Sequence, residues 1–162
     1  MIGAIDKSRF KSVVSMMTDS NDVVLNISNQ VNIRIMPAFR CGGMWPRSAQ
    51  NWPRIENSVW PQQQIVTQIK SDGFSLISKD GICGDAWILA FNEAELKLID
   101  GANRKVVLSV LKALREVHLD VDIINSNHLS NLLLSECEKH PNEDEWAPEV
   151  IGDRIVGILL QV

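Results

Sequence analysis

Val23-Val24-Leu25-Asn26-Ile27-Ser28-Asn29-Gln30-Val31-Asn32-Ile33-Arg34-Ile35-Met36 holds two alternating segments separated by a polar break. Val23, Leu25 and Ile27 alternate with Val24 and Asn26, and Val31, Ile33 and Ile35 alternate with Asn32, Arg34 and Met36. A period of two sends successive side chains to opposite faces of a strand. Asn tolerates the left-handed backbone of a tight turn, so the stretch predicts a β-hairpin closed at Ser28-Asn29-Gln30. The same alternation sets Arg34 on the face opposite Val31, Ile33 and Ile35.

Upstream, Phe10, Val13, Val14 and Met17 recur at helical spacing, and Asp6 or Ser8 is placed to cap, which predicts a helix over 6–18. Downstream, Gly42-Gly43 and three Trp-Pro pairs (Trp45-Pro46, Trp52-Pro53, Trp60-Pro61) predict an irregular region over 40–62. Proline removes a donor and restricts the residue before it. Three tryptophans in such a loop are expected to be buried, or else to mark a contact surface for a protein partner.

Beyond the loop the pattern turns mainly helical. A short helix is predicted over 62–70, then short strands at Phe74–Ser78 and Trp87–Phe91. Asn92-Glu93-Ala94-Glu95 has the form of a capping box opening a helix to about Ile99. Over 103–119 Val106, Val107, Val110, Leu111, Leu114 and Val117 form an apolar stripe, opposite Lys105, Ser109, Lys112 and Glu116. Ser126 is placed to cap a helix to about Lys139, buried through Leu129, Leu132, Leu133 and Cys137. Residues 155–162 read as a nearly continuous apolar helix without a polar stop. Strands followed by helices predict an α+β fold, with a small antiparallel strand region on a mainly helical lobe.

With 162 residues, 45% apolar and 22% charged, the chain has the composition of one ordinary globular domain. No apolar run spans a bilayer and no basic-then-apolar start is present, so no membrane contact is expected. Cys41, Cys83 and Cys137 are odd in number and far apart, which argues against a disulfide framework and for an intracellular setting, nucleus or cytoplasm. Net charge is −4, yet residues 1–55 carry seven Lys/Arg against three Asp. No long run of like charge accompanies this basic third, so its cations are expected on solvated faces, with nucleic-acid binding weak or lacking. His118, His128 and His140 have no nucleophile at a recognisable motif, and no Gly-rich phosphate loop occurs.

Several strings, in order, carry a resemblance: Met36-Pro37-Ala38-Phe39-Arg40-Cys41, Trp45-Pro46-Arg47-Ser48-Ala49, Gly73-Phe74-Ser75-Leu76, Asp85-Ala86-Trp87-Ile88-Leu89-Ala90-Phe91, Glu136-Cys137-Glu138-Lys139-His140-Pro141 and Gly152-Asp153-Arg154-Ile155. They resemble the male-abnormal-21-like family of the cyclic GMP-AMP synthase-like nucleotidyltransferase superfamily, over essentially the whole chain. The resemblance implies that 1–60 is the end of a nucleotidyltransferase core and 61–162 its helical C-terminal lobe, cut short at both ends.

Active members of that superfamily hold two metal ions on three carboxylates. The resemblance puts the third carboxylate, counted back from Trp45-Pro46, at Arg34, and a Gly-Ser turn and strand Glu-x-Asp do not occur. A guanidinium cannot ligate a divalent cation. No catalytic residue, metal or cofactor is therefore expected here, with Mg or Mn needed only if an active full-length form exists. On the base-binding side, Ile88 stands where active members have Arg, and Asn127 where they have a stacking Tyr. Lys112 and Ser126 match family positions and are the nucleotide-binding candidates. DNA-sensing members carry a zinc insertion where this chain has only Asp100-Gly101-Ala102. Cys137 and His140 would supply half a zinc site at most, and zinc is not expected.

The reading is a catalytically inactive domain with a regulatory, developmental or ligand-binding scaffold role. Two alternatives stay open: part of an active cyclic-dinucleotide synthase that senses nucleic acid, and a protein-interaction module using Trp45, Trp52 and Trp60. Missing core strands would leave a sheet edge and an apolar helix face uncovered, so the chain alone is expected to self-associate.

Overall fold

The computed structural model describes residues 7, 9–10, 12–19, 22–54, 59–79, 86–101, 103–118 and 123–162. The asparagine-centred hairpin is present. β2 (Asp22–Ile27) pairs antiparallel with β3 (Val31–Ile35) in the register Leu25↔Ile33, with Ser28 and Asn29 at φ 51° and 57°. The Asn26 side chain locks the turn: its Oδ1 accepts from the Asn29 N–H at 2.9 Å and its Nδ2 donates to Asn32 Oδ1 at 2.8 Å.

The helix predicted over 6–18 is corrected. Val14–Asp19 is strand β1, paired along its length with β2 from Val14↔Ile27 to Asp19↔Asp22. Val13, Val14 and Met17 satisfy a helical period, but Val14, Met16 and Thr18 also satisfy a period of two, and an adjacent strand decides between them. Asp6 and Ser8 lie outside the described residues.

A second antiparallel sheet is ordered β4-β5-β6, from Ala38–Cys41, Phe74–Lys79 and Ala86–Ala90. On it Phe39 meets Trp87 edge-on at 5.4 Å. Both sheets fall in one compact unit, Met1–Gly42 with Phe74–Ala90.

The other unit, Gly43–Gly73 with Phe91–Val162, holds five α-helices among the described residues: α1 (Gln63–Asp72), α2 (Asn92–Leu98), α3 (Arg104–His118), α4 (Ser126–Lys139) and α5 (Ile151–Leu159). The architecture is α+β. Gly73, at φ 80°, ends α1 and donates its N–H to the Ile69 carbonyl, a conformation that costs a glycine little. The Asn92–Glu95 capping box does not form: Phe91 is the N-cap of α2, with no side-chain capping hydrogen bond.

The core of this unit is built from Ile69, Leu111, Leu129, Leu133, Trp146 and Ile158, all essentially inaccessible. The buried face of α3 differs from the expected stripe. It is Arg104, Val107, Leu108 and Leu111, while Val106 and Val117 are 50% and 74% exposed. Spacing i, i+3, i+4, i+7 is kept, but it starts on an arginine, which a hydrophobicity pattern passes over. The Arg104 guanidinium lies 5.8 Å from the Trp60 ring and 5.3 Å from the Trp146 ring. Its stem and flat head thus fill core space while aromatic faces take the charge.

Helix α4 buries Leu129, Leu133, Glu136 and Cys137. Glu136 ties it to α5: Oε2 accepts from Gln161 Nε2 at 3.2 Å, and Oε1 lies 3.7 Å from Arg154 Nη1. The carboxylate also lies close over Gly157, where a Cβ would stand 3.1 Å from Glu136 Oε1. No helix among the described residues is long and apolar enough to cross a membrane.

Candidate functional site

Lys112 sits one turn beyond Leu108 on α3, and Ser126 is the first residue of α4. Although 14 residues apart, both line one cavity of about 220 Å³, with Asn127 and Ser130 from α4 and Asn92 and Glu95 from α2. Ile99, Leu108 and Leu134 supply its apolar floor.

Ser126 does not cap its helix, as its place in the sequence suggests. Asn125, in extended backbone, does so: its Oδ1 accepts from the Asn127 and His128 N–H groups, each at 3.0 Å. His128 Nδ1 accepts in return from the Asn125 N–H at 3.4 Å. A cap residue must lie outside helical φ/ψ, and Ser126 already lies within them. Its hydroxyl is instead engaged by Arg115, whose Nη1 donates to Ser126 Oγ at 2.9 Å. An Oγ that accepts keeps its own proton to donate. Arg115 Nη2 lies 3.6 Å from Glu116 Oε1, and its Nε is buried without a hydrogen-bond partner.

The Lys112 side of the cavity thus offers an ammonium and a hydroxyl backed by a guanidinium, a set suited to phosphate oxygens. Glu95 makes the α2 wall unfavourable to anions, so the positive field of the cavity lies on its α3–α4 side. A volume below the roughly 300–1,000 Å³ of sites that enclose a whole drug-sized ligand suits a phosphate chain better than an entire nucleotide. Arg115 was not among the residues the sequence singled out. Its position three residues after Lys112, on the same helical face, was the available signal.

The tryptophans are partly or fully buried, as the loop's composition suggests. Trp60 is 9% exposed. Trp45 and Trp52 are half-buried, their rings 5.6 Å apart, with Phe91 5.5 Å from Trp45 on its other side. Trp45 Nε1 donates to the Ala49 carbonyl at 2.7 Å. Trp146, which the sequence did not mark, is the largest fully buried side chain; its Nε1 donates to the His140 carbonyl at 2.8 Å.

Cys137 is fully buried, and burial pushes its thiol up to about 12. His140 Nδ1 lies 3.0 Å from Glu145 Oε1, and Nε2 lies 3.4 Å from Glu136 Oε1. Both residues serve the helical unit's own structure. Arg34 lies on β3, an edge strand, exposed and in register with Val24. Ile88 lies on β6 opposite Ile77. Strand β3 carries Asn32 and Arg34 but no acid, so its side chains do not fit a divalent ion. Among the described residues no three of His, Cys, Asp and Glu are grouped so as to hold a metal.

Comparison with known proteins gives two adjoining family matches. The Mab-21 protein nucleotidyltransferase domain matches residues 4–101, and the Mab-21 protein HhH/H2TH-like domain matches residues 103–162. The chain is similar to the protein mab-21-like of Drosophila melanogaster, 44% identical over 98% of this chain and 47% of that protein. It is similar to the protein mab-21-like of Aedes aegypti at 45% identity, over 98% of this chain and 46% of that protein. It therefore spans about half the length of the curated relatives it matches.

Proposed function

The chain belongs to the Mab-21 family, and from that premise we propose that it is a catalytically silent nucleotidyltransferase-fold domain that binds a phosphate-bearing nucleotide as a regulatory scaffold. The observation that carries this reading is the convergence of Lys112 and Ser126 on one cavity, with Arg115 holding the serine hydroxyl. Lys112 supplies a point charge to the phosphate chain. Ser126 accepts from Arg115 and donates its own proton to a phosphate oxygen, so the ligand also feels the guanidinium through the hydroxyl. Asn127 offers amide hydrogen bonds but no stacking face, which favours selection for phosphate over selection for base.

Silence follows from chemistry at β3. In-line nucleotidyl transfer clamps the attacking and leaving oxygens with metal ions on carboxylates. Arg34 takes the position that the family pattern gives to one of those acids, and its fixed positive charge repels a divalent ion. Incubation with ATP, GTP and Mn²⁺ tests this. The expected outcome is retention of ATP with no oligonucleotide or cyclic dinucleotide formed. Product accumulating over many turnovers contradicts the reading.

A further inference from the structure

We infer that the helical unit carries a second anion site, separate from the Lys112 cavity, whose ligand is a small molecule bearing two or more phosphate groups. The site is a cavity of about 540 Å³ between the Trp52-Pro53 segment and α1. Its wall on α1 is Gln63, Val66 and Lys70, spaced i, i+3 and i+7 on one helical face; the facing wall includes Asn51, Trp52 and Arg54.

Three features converge on an anion. First, the lining carries two cations, Arg54 and Lys70, and no carboxylate. Among the described residues neither cation makes a hydrogen bond or ion pair, whereas Lys97, Lys105 and Lys139 on the same unit each pair with an acid. Second, α1 begins at this cavity with no side chain capping Gln62 and no acid in its first turn, so its first amides and the positive end of its dipole are unmatched. Third, the remaining polar lining consists of amides, Gln50, Asn51 and Gln63, which donate to phosphate without adding charge.

The extent of the site selects the ligand. Gln63 and Lys70 are seven residues apart, roughly 10 Å along the axis at the α-helical rise. The Lys70 stem closes part of that gap, and a polyphosphate is long enough to reach the helix start, Lys70 and Arg54 at once. The cavity is also more than twice the volume of the one at Lys112. Trp52 lies on its wall and provides a signal.

The test is titration of the chain with inorganic tripolyphosphate, read by tryptophan fluorescence and calorimetry. Wild type is expected to show a saturable fluorescence change that Trp52→Phe removes. The pair Arg54→Gln with Lys70→Gln should weaken that transition by about tenfold or more, the scale of losing charge-assisted hydrogen bonds. Lys112→Gln should leave it in place, which separates this site from the one above. Unchanged melting curves establish that the variants fold. The inference is overturned if the transition survives the Arg54/Lys70 pair, disappears with Lys112→Gln, or is produced only by an RNA oligomer and not by tripolyphosphate.

Discussion

Arg104 shows how one residue's chemistry is hidden by its class. It is buried to 2% exposure between two tryptophan faces, with Nε and Nη2 unpartnered. A buried charge without a carboxylate is costly, while its stem and plane pack as an apolar body does. Arg104→Met should therefore keep or raise the melting temperature, whereas Arg104→Ala should lower it by opening a cavity beside Trp60 and Trp146. Thermal unfolding of the two variants separates the roles; equal losses in both would mean that the charge itself holds the core. Trp146→Ala removes the largest buried side chain and its bond to the His140 carbonyl, and should cost about 3–5 kcal/mol by chemical denaturation. Neither residue stood out in the sequence. A hydrophobic pattern scores an arginine as surface, and Trp146 lies in an acidic run, Glu143-Asp144-Glu145, that reads as solvated.

At the level of elements, the joint between α4, the turn after it and α5 depends on carboxylates. Hydrogen bonds from His140, then from the Asn142 backbone, hold Glu145 down to about 2 from an ordinary 4.5. A folded-state value below the unfolded one means that this contribution is complete above about pH 4.5 and is lost as pH falls toward 2. Stability should decline over that window, and Glu145→Gln should flatten the decline. An unchanged acid limb in the variant would assign the effect to other acids. Legibility followed local determinants. The hairpin could be read because Asn26 and Asn29 write the turn into adjacent residues. β1 could not, since its apolar spacing suits both periods and the arbiter is a neighbouring strand. The α4 cap was displaced by one residue because Asn125 and Ser126 are both good cap types, and only backbone conformation tells them apart.

At the level of the whole molecule, the two units carry unequal shares of the burial. The helical unit supplies every fully buried side chain among the described residues, while β3 exposes Val31, Ile33 and Ile35 along an edge. An unpaired edge with an apolar face templates association, so the chain alone should elute above its monomer mass, and Ile33→Lys should shift it toward monomer. A sharp monomer peak for the unmodified chain would contradict this. The candidate site was only half legible: family resemblance pointed to Lys112 and Ser126, but their meeting depends on how α3 packs on α4, which no local spacing encodes. Nucleotide binding by the helical unit rests on that meeting. Its most direct test is equilibrium titration of ATP, metal chelated, against the wild-type chain and Lys112→Gln. Saturable binding weakened by about tenfold or more in the variant is predicted; equal affinity in the two proteins, or no binding to either, would contradict it.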